Sequence, residues 1–492
     1  MSENRLSKLV YQIWNSATMM TWGSFASQSL NLVIVLPLLL TKLETAEISL
    51  WYLFSTIISL QMLSDIGFTP TFSRVISYAM AGATYKELGS YRKPKLQNSH
   101  KKPDVDTLKR ICSTMHKVYF VLAIVITTVI LVAGSLCLDK PISSVSNTQN
   151  AWLSWGIILF GSTIIFHGNI YSAFLQGTNN IALLRRLEIC ISLCSIGSNF
   201  VVLLAGGGLL GLVASHQSWR VVNVLCNRIL CSKTKIPKPV YTRSTKMDIV
   251  VLKSVWPSTW RSGLGLFMSR GLIEMSGLLY AQVGSSAKIA TYLFGLRMIQ
   301  MVSQFSMAPF YSKLPILARL RASGDLINQV KIAKQGMKFS YWSYFIGFSI
   351  LGILGPYLMT IIGSNADFPD FYLWGFLGIA MFAERYGAMH IQLYSITNHI
   401  VWHHVTFFSG SIFLIVSISL FRFIDIYAFP VALMVSYVGF YSWFCARYSY
   451  KAFKLNFIQF ESDTLLFPLI AFILYLVIHW TLSATHIEVL WL

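Results

Sequence analysis

Thirteen long apolar runs dominate this chain and constrain its fold more than any other feature. A helix needs about 20 apolar residues to cross the roughly 30 Å hydrocarbon core of a bilayer, and each run is about that long. Only 12% of the residues are charged and 55% are hydrophobic, which excludes both a water-soluble and a disordered chain. The sequence therefore predicts an all-α polytopic membrane protein. The predicted spans are residues 17–41, 47–70, 111–137, 151–175, 182–205, 208–229, 254–282, 287–311, 338–362, 370–394, 400–422, 427–446 and 465–483.

The basic residues lie mostly between the spans, in alternate loops. Lys and Arg number 39 against 19 Asp and Glu, a net charge of +20, and they concentrate around residues 83–110, 228–246 and 313–338. Because Lys and Arg are retained on the cytoplasmic side, the amino terminus is expected in the cytoplasm and, after thirteen spans, the carboxyl terminus outside. This layout accounts for much of the positive charge and argues against a nucleic-acid surface.

Several kinds of chemistry leave no signature in the sequence. The seven cysteines lie mostly in apolar runs without paired CxxC motifs, so neither a disulfide framework nor a zinc site is expected. The histidines lack nearby acids that could complete a metal site, and no GxxxxGK[ST] phosphate loop occurs. We expect no cofactor and no metal. The short outside loops favour a carrier over an enzyme, which would need an extramembrane platform.

An internal repeat relates the two halves of the chain. Tyr52-Leu53-Phe54 matches Tyr292-Leu293-Phe294, and Trp14 matches Trp256, with all such pairs offset by 239–242 residues. Two parallel six-helix halves around a central cationic cavity, plus one extra C-terminal helix, are therefore predicted. The expected divisions are a cytoplasmic amino terminus (1–16), the first half (17–231), a basic linker (232–249), the second half (250–447), and a basic loop with the extra helix (448–492).

Ionisable side chains inside the spans are the candidate functional residues, because a charge at bilayer depth costs several kcal/mol unless it faces a cavity or a partner. Arg270 and Arg297 lie about halfway along their spans. The substrate-binding candidates are Arg270, Arg297, Arg385, Arg220, Arg261, Asp65 and Arg74. The candidates for binding a coupling ion, H⁺ or Na⁺, are Glu188, Glu274 and Glu384.

Structural alternatives exist for several of these residues. Arg270 and Glu274 are four apart on one helix face and could pair with each other. Glu384 and Arg385 are adjacent, so their side chains diverge by about 100° and are not expected to pair. Asp65 could instead pair with a nearby arginine.

Some charges lie toward the cytoplasmic ends of their spans. The arginines among them could reach the membrane surface instead of a cavity. The charged residues toward the cytoplasmic ends are Arg74, Arg220, Arg261 and Glu188.

The run Leu63-Ser64-Asp65-Ile66-Gly67-Phe68, followed by Arg74, adds a motif to this layout. Together with the long basic loop after the second span and the two parallel halves, it resembles the bacterial O-antigen and polysaccharide flippases (Wzx-like). Their superfamily also contains multidrug-and-toxin extruders and the lipid II flippase. The resemblance covers about residues 10–450.

The resemblance implies a flippase of the bacterial inner (cytoplasmic) membrane. It would move an oligosaccharide linked to undecaprenyl pyrophosphate from the cytoplasmic to the periplasmic leaflet by alternating access, alongside the polysaccharide polymerase machinery. Fixed arginines suit a pyrophosphate because a guanidinium binds it bidentately. The alternatives are a multidrug or cation antiporter of the same superfamily, which would need a carboxylate-lined cavity, and an O-antigen polymerase.

Overall fold

The computed structural model describes residues 14, 17–63, 65, 67–80, 82, 103–233, 247–322, 325–396 and 402–484. Nearly all of these residues are helical, and no strand occurs within these ranges. The predicted all-α fold class is therefore confirmed. The chain divides into two compact units, Met1–Leu264 and Gly265–Leu492.

Within the described residues, the N-terminal unit contains eight helices and most of a ninth. They are α1 (Ala17–Lys42), α2 (Thr45–Leu63), α3 (Phe68–Met80), α4 (Val105–Val129), α5 (Ser135–Ser143), α6 (Thr148–Gly177), α7 (Ile181–Leu204), α8 (Gly208–Lys233) and α9 (Ile249–Leu266). Within this unit α1 packs on α7, and α6 packs on α8 and α3. The boundary between the units falls inside α9 and not in the basic linker 232–249.

The C-terminal unit holds the remaining helices. They are α10 (Leu272–Tyr280), α11 (Ser286–Tyr311), α12 (Leu314–Ala322), α13 (Leu326–Ile362), α14 (Phe371–Ser395), α15 (Trp402–Ile424), α16 (Ala428–Ser436), α17 (Ser442–Phe453), α18 (Phe457–Thr464) and α19 (Leu466–Ala484). Here α11 packs on α13 and α14, and α14 packs on α16 and α17.

Every predicted span falls on a helix or on a helix continued by the next one. By length and apolar composition, six described helical stretches can cross a membrane, or seven if the bent pair α18–α19 forms one span. The chain is therefore a multi-pass membrane protein, while the count of thirteen crossings stays a prediction. Two basic loops on which the predicted orientation depends, residues 83–102 and 234–246, lie outside the described residues.

In the part of the chain that the structure describes, three single π-helical turns interrupt the long helices. They are Ile130–Gly134 after α4, Phe267–Gly271 between α9 and α10, and Tyr437–Tyr441 between α16 and α17. A π turn widens the helix and frees backbone groups, and such turns occur frequently at functional sites. The second turn carries Arg270.

Each unit is held by its own aromatic core. In the N-terminal unit Phe72, Tyr119 and Phe166 lie in one buried cluster. In the C-terminal unit Phe348 stacks on Trp374 with ring centroids 5.1 Å apart. The matching tripeptides of the repeat, 52–54 and 292–294, are buried in α2 and α11, so they serve as core residues in both units.

Candidate functional site

Arg297 and Glu274 form a bidentate ion pair in the C-terminal unit. Arg297 Nη1 donates to Glu274 Oε1 at 3.0 Å and Nη2 donates to Oε2 at 2.9 Å. Nη1 also reaches Gln300 Oε1 at 3.3 Å. The two side chains are 22% and 9% exposed, so the pair is largely shielded. A guanidinium bound in this way is already occupied by a carboxylate.

The expected alternative, a pair between Arg270 and Glu274, is not what the structure contains. Glu274 is bound by Arg297 from the neighbouring helix α11. Helices α10 and α11 are joined by the short segment 281–285, and the guanidinium contacts the carboxylate end-on with both of its Nη atoms. A residue one turn away on the same helix cannot match that geometry as well, and the π turn at 267–271 also breaks the regular spacing.

Arg270 is exposed and lies in the π turn Phe267–Gly271. Among the described residues, no hydrogen bond or ion pair holds its guanidinium, although it lies within electrostatic range of Tyr437. Helix α15 packs closely beside it, since a Cβ on Gly410 would lie 2.6 Å from the carbonyl oxygen of Met268. The turn therefore presents Arg270 as a cation that is free of acids in the described part of the chain.

Glu384 and Arg385 pair with each other, which corrects the expectation that they would not. Arg385 Nη2 donates to Glu384 Oε2 at 2.9 Å. Although the two side chains leave the helix in different directions, the three methylenes of arginine are flexible enough to let its guanidinium reach the neighbouring carboxylate. Arg385 is only 4% exposed, and its Nε and Nη1 are buried without a partner in the described structure. It is thus a buried structural cation, shielded from any solvent-borne ligand.

Asp65 is bound by a tyrosine and a backbone amide, and not by an arginine as one alternative suggested. Tyr119 Oη donates to Asp65 Oδ1 at 2.6 Å, and the amide of Thr69 donates to Oδ2 at 2.8 Å. The carboxylate therefore caps the start of α3. Gly67, in the same motif, has a φ of +74°, and a Cβ there would lie 2.7 Å from Ser262 Cβ. Asp65 and Gly67 thus lie at a tight break between α2 and α3, with Gly67 against α9, while Ser64 and Ile66 of the motif lie outside the described residues.

The other candidates of the N-terminal unit are dispersed. Glu188 accepts from Arg185 at 2.7 Å and from Ser24 at 3.1 Å, so this acid too is neutralised by an arginine. Arg220 buries its Nη1 without a partner among the described residues. Arg261 is exposed with its guanidinium 5.9 Å from the Trp260 ring, and Arg74 is exposed on α3. The structure does not gather these residues into one site.

A buried network around His390 was not expected from the sequence. His390 is 0% exposed, with Nδ1 2.6 Å from Ser449 Oγ and Nε2 3.2 Å from Glu461 Oε1. Tyr450 donates to the same carboxylate. Glu461 comes from α18, 71 residues away, so no spacing in the sequence signals the contact. Groups of three metal-ligating side chains are absent from the described ranges.

These contacts leave one distinctive electrostatic feature in the C-terminal unit. Glu274 and Glu384 are each neutralised by an arginine, whereas Arg270 is exposed and has no acidic partner in the described chain. A fixed guanidinium without a counter-charge, inside a span predicted to cross the membrane, is expected to attract an anionic group.

Comparison with known proteins places this arrangement in a known fold. Neither a protein-family model nor a curated protein matches the sequence. Solved structures do match, among them an inward-facing multidrug-resistance MATE family transporter of the MOP superfamily. It has a TM-score of 0.65 and 13% identity, over 87% of this chain and 95% of that one.

Two further solved structures are similar. The lipid II flippase MurJ, in an inward closed conformation, has a TM-score of 0.62 and 11% identity, over 96% of this chain and 93% of that one. A MOP superfamily transporter from Pyrococcus furiosus, described as having a binding pocket of reversed polarity, has a TM-score of 0.55 and 12% identity. That match covers 90% of this chain and 98% of the other. The chain therefore has the fold of MATE transporters and MurJ.

Proposed function

We propose that this protein is a flippase that moves an oligosaccharide linked to undecaprenyl pyrophosphate from the cytoplasmic to the periplasmic leaflet. The observation that carries the proposal is the state of Arg270, which is exposed in a π turn of the predicted span 254–282 and has no acidic partner in the described chain. The fold shared with MATE transporters and MurJ supports a carrier over an enzyme such as an O-antigen polymerase.

A pyrophosphate is the kind of group that such a cation would bind. It carries about two negative charges and needs compensation when it leaves the interface, because burying an unpaired ion is costly. Charge-assisted bonds from guanidinium to phosphate oxygens are strong and directional. Among the arginines that the sequence suggested as substrate ligands, we propose Arg270 as the main one. Arg297 and Arg385 are each already bound to a carboxylate.

The second candidate function is a multidrug or cation antiporter. One observation favours it, namely that Asp65 is a buried carboxylate without an arginine partner in the described structure. Two hydrogen-bond donors satisfy it, however, and it caps α3. Glu188, Glu274 and Glu384 are each tied to an arginine, which makes them poor hosts for an organic cation.

The proposal includes a location and partners. The protein would lie in a bacterial inner membrane with its amino terminus in the cytoplasm, and it would act beside the polysaccharide polymerase machinery. Coupling to H⁺ or Na⁺ is proposed because the sequence has no nucleotide-binding loop.

Leaflet-specific detection of the substrate tests the function. After deletion of the gene, lipid-linked oligosaccharide should accumulate in the cytoplasmic leaflet and surface polysaccharide should be lost. Unchanged surface glycan together with a new sensitivity to cationic dyes would refute the flippase and support the antiporter.

Reconstituted protein then tests the role of Arg270. Arg270→Ala should weaken substrate binding roughly 10- to 150-fold, the equivalent of a charge-assisted interaction of about 1.5–3 kcal/mol. Arg270→Lys should retain part of the activity, because lysine keeps the positive charge but cannot form the bidentate hydrogen bonds of a guanidinium. The matched control is Arg422→Ala, an exposed arginine at the end of α15 in the same unit. Equal transport by the Arg270 and Arg422 variants would remove Arg270 from the site.

A further inference from the structure

A cavity of about 640 Å³ lies at one end of the C-terminal unit, where α13 ends, α14 begins and α19 passes beside them. This volume is within the range of small-molecule sites, roughly 300–1,000 Å³. Its wall includes Gly352, Asp367, Phe371, Trp374 and His479. The mechanism proposed above uses none of these residues.

Two buried hydrogen-bonding groups meet at Gly352 in the cavity wall. Trp374 is only 1% exposed, and its indole N–H has no partner in the described structure. The hydroxyl of Tyr475, on α19, is also buried and unpartnered there. Both atoms lie beside Gly352, where a Cβ would be 2.7 Å from Trp374 Nε1 and would also contact Tyr475 Oη. Buried donors are nearly always satisfied, so the unpartnered indole N–H of Trp374 in the cavity wall, with the Tyr475 hydroxyl beside Gly352, indicates a missing partner.

The same cavity also offers a hydrogen-bond acceptor. Asp367 is exposed, and no donor among the described residues contacts its carboxylate. Asp370, by contrast, is fully engaged, since it accepts from the amide of Leu373 at 2.9 Å and from the hydroxyl of Tyr427. Phe371 is half-buried and packs edge-on against His479 with ring centroids 5.1 Å apart, which adds an apolar surface.

This combination selects among ligand classes. An organic cation would satisfy the carboxylate, but it offers nothing that could accept from the indole N–H. An anion would be repelled by Asp367 and Asp370. A hydroxyl group both donates and accepts, so a polyhydroxylated ligand can satisfy the carboxylate and the orphaned donors together. The apolar faces of sugar rings can also lie against aromatic side chains.

We propose that this cavity is a saccharide-binding site, formed with α19, for the glycan portion of the transported molecule. The inference rests on the proposed flippase function. By the predicted orientation, the cavity opens on the outer side of the membrane. Its acidic residues would exclude the pyrophosphate, which Arg270 is proposed to bind. The extra C-terminal helix thereby gains a role in receiving the glycan end.

Ligand-observed NMR on the full chain in nanodiscs tests the site. The probe is the water-soluble oligosaccharide released by mild acid from the lipid-linked intermediates of the source cells. Asp367→Asn and Trp374→Phe should each weaken its binding about tenfold, because each removes one hydrogen bond to the ligand. Asp139→Asn, which replaces an exposed aspartate of α5 in the other unit, is the matched control and should bind normally.

Each outcome of this experiment decides something. Because Asp367 is exposed, its variant reports on binding even if Trp374→Phe folds poorly. Equal binding by the wild-type protein and Asp367→Asn would overturn the inference, and so would displacement of the probe by tetramethylammonium. If wild-type protein flips lipid-linked oligosaccharide but does not bind the free probe, the cavity proposal fails and the proposed function stands. If it does not flip that lipid, the proposed function itself fails.

Discussion

Removing Arg297 should destabilise the protein, whereas removing Arg270 should impair transport without destabilising it. Both arginines lie about halfway along their spans, but only Arg297 is held by a carboxylate, through bonds of 3.0 and 2.9 Å to Glu274. Arg297→Ala would leave that carboxylate, 9% exposed, without its counter-charge. Arg270→Ala leaves no carboxylate without its counter-charge among the described residues.

The size of the effect follows from the burial of the pair. Breaking a buried ion pair by removing one partner costs about 3–5 kcal/mol. Because Arg297 is 22% exposed, we expect the lower end of this range, about 3 kcal/mol. For a domain the size of Gly265–Leu492, that corresponds to a fall in melting temperature of roughly 6–12 °C. Replacing both partners by apolar residues of similar volume, Glu274→Leu with Arg297→Met, should restore most of the stability.

Thermal unfolding of the purified variants in one detergent provides the measurement, with transport assayed in parallel. We expect Arg297→Ala to melt early and the double variant to recover. Arg270→Ala should melt like the wild type while losing transport. The reasoning is refuted if Arg297→Ala melts normally, or if the double variant is no more stable than Arg297→Ala.

Three further predictions concern two buried polar contacts and one glycine at a tight turn. Tyr119→Phe should lower the melting temperature through loss of a charge-assisted hydrogen bond of about 1.5–3 kcal/mol to Asp65, while the exposed Tyr357→Phe should have no effect. Gly67→Ala should be destabilising by more than about 1 kcal/mol, because φ is +74° and the new Cβ would meet Ser262. Gly197→Ala, on α7 with open space around it, should be neutral or stabilising, and a reversed order would contradict the account. Glu461→Ala should destabilise far more than Asp463→Ala on the same helix, since Glu461 is buried against His390 and Asp463 is 61% exposed; equal melting temperatures would argue against the network.

The apolar runs predicted the positions of the helices well, whereas the spacing of the charged residues predicted their contacts poorly. Each predicted span falls on a helix or on consecutive helices, and span 427–446 covers α16, the π turn Tyr437–Tyr441 and the start of α17. The prediction for Glu384 and Arg385 was wrong because it considered only the direction in which each side chain leaves the helix. The suggested pairing of Arg270 with Glu274 was also wrong, since it considered neighbours on one helix alone.

The sequence by itself determined that the chain is an all-helical, multi-pass membrane protein. A run of about 20 apolar residues is sufficient for that conclusion, because in a bilayer every backbone polar group must be satisfied within its own helix. Run length carries no information on how each helix is rotated about its axis or which helix packs beside it. Tertiary packing decided that Arg297 binds Glu274, 23 residues away, and that Tyr119 binds Asp65, 54 residues away. Arg270 is left as the exposed cation because these pairings depend on the facing helix, and only the folded chain brings that helix into place.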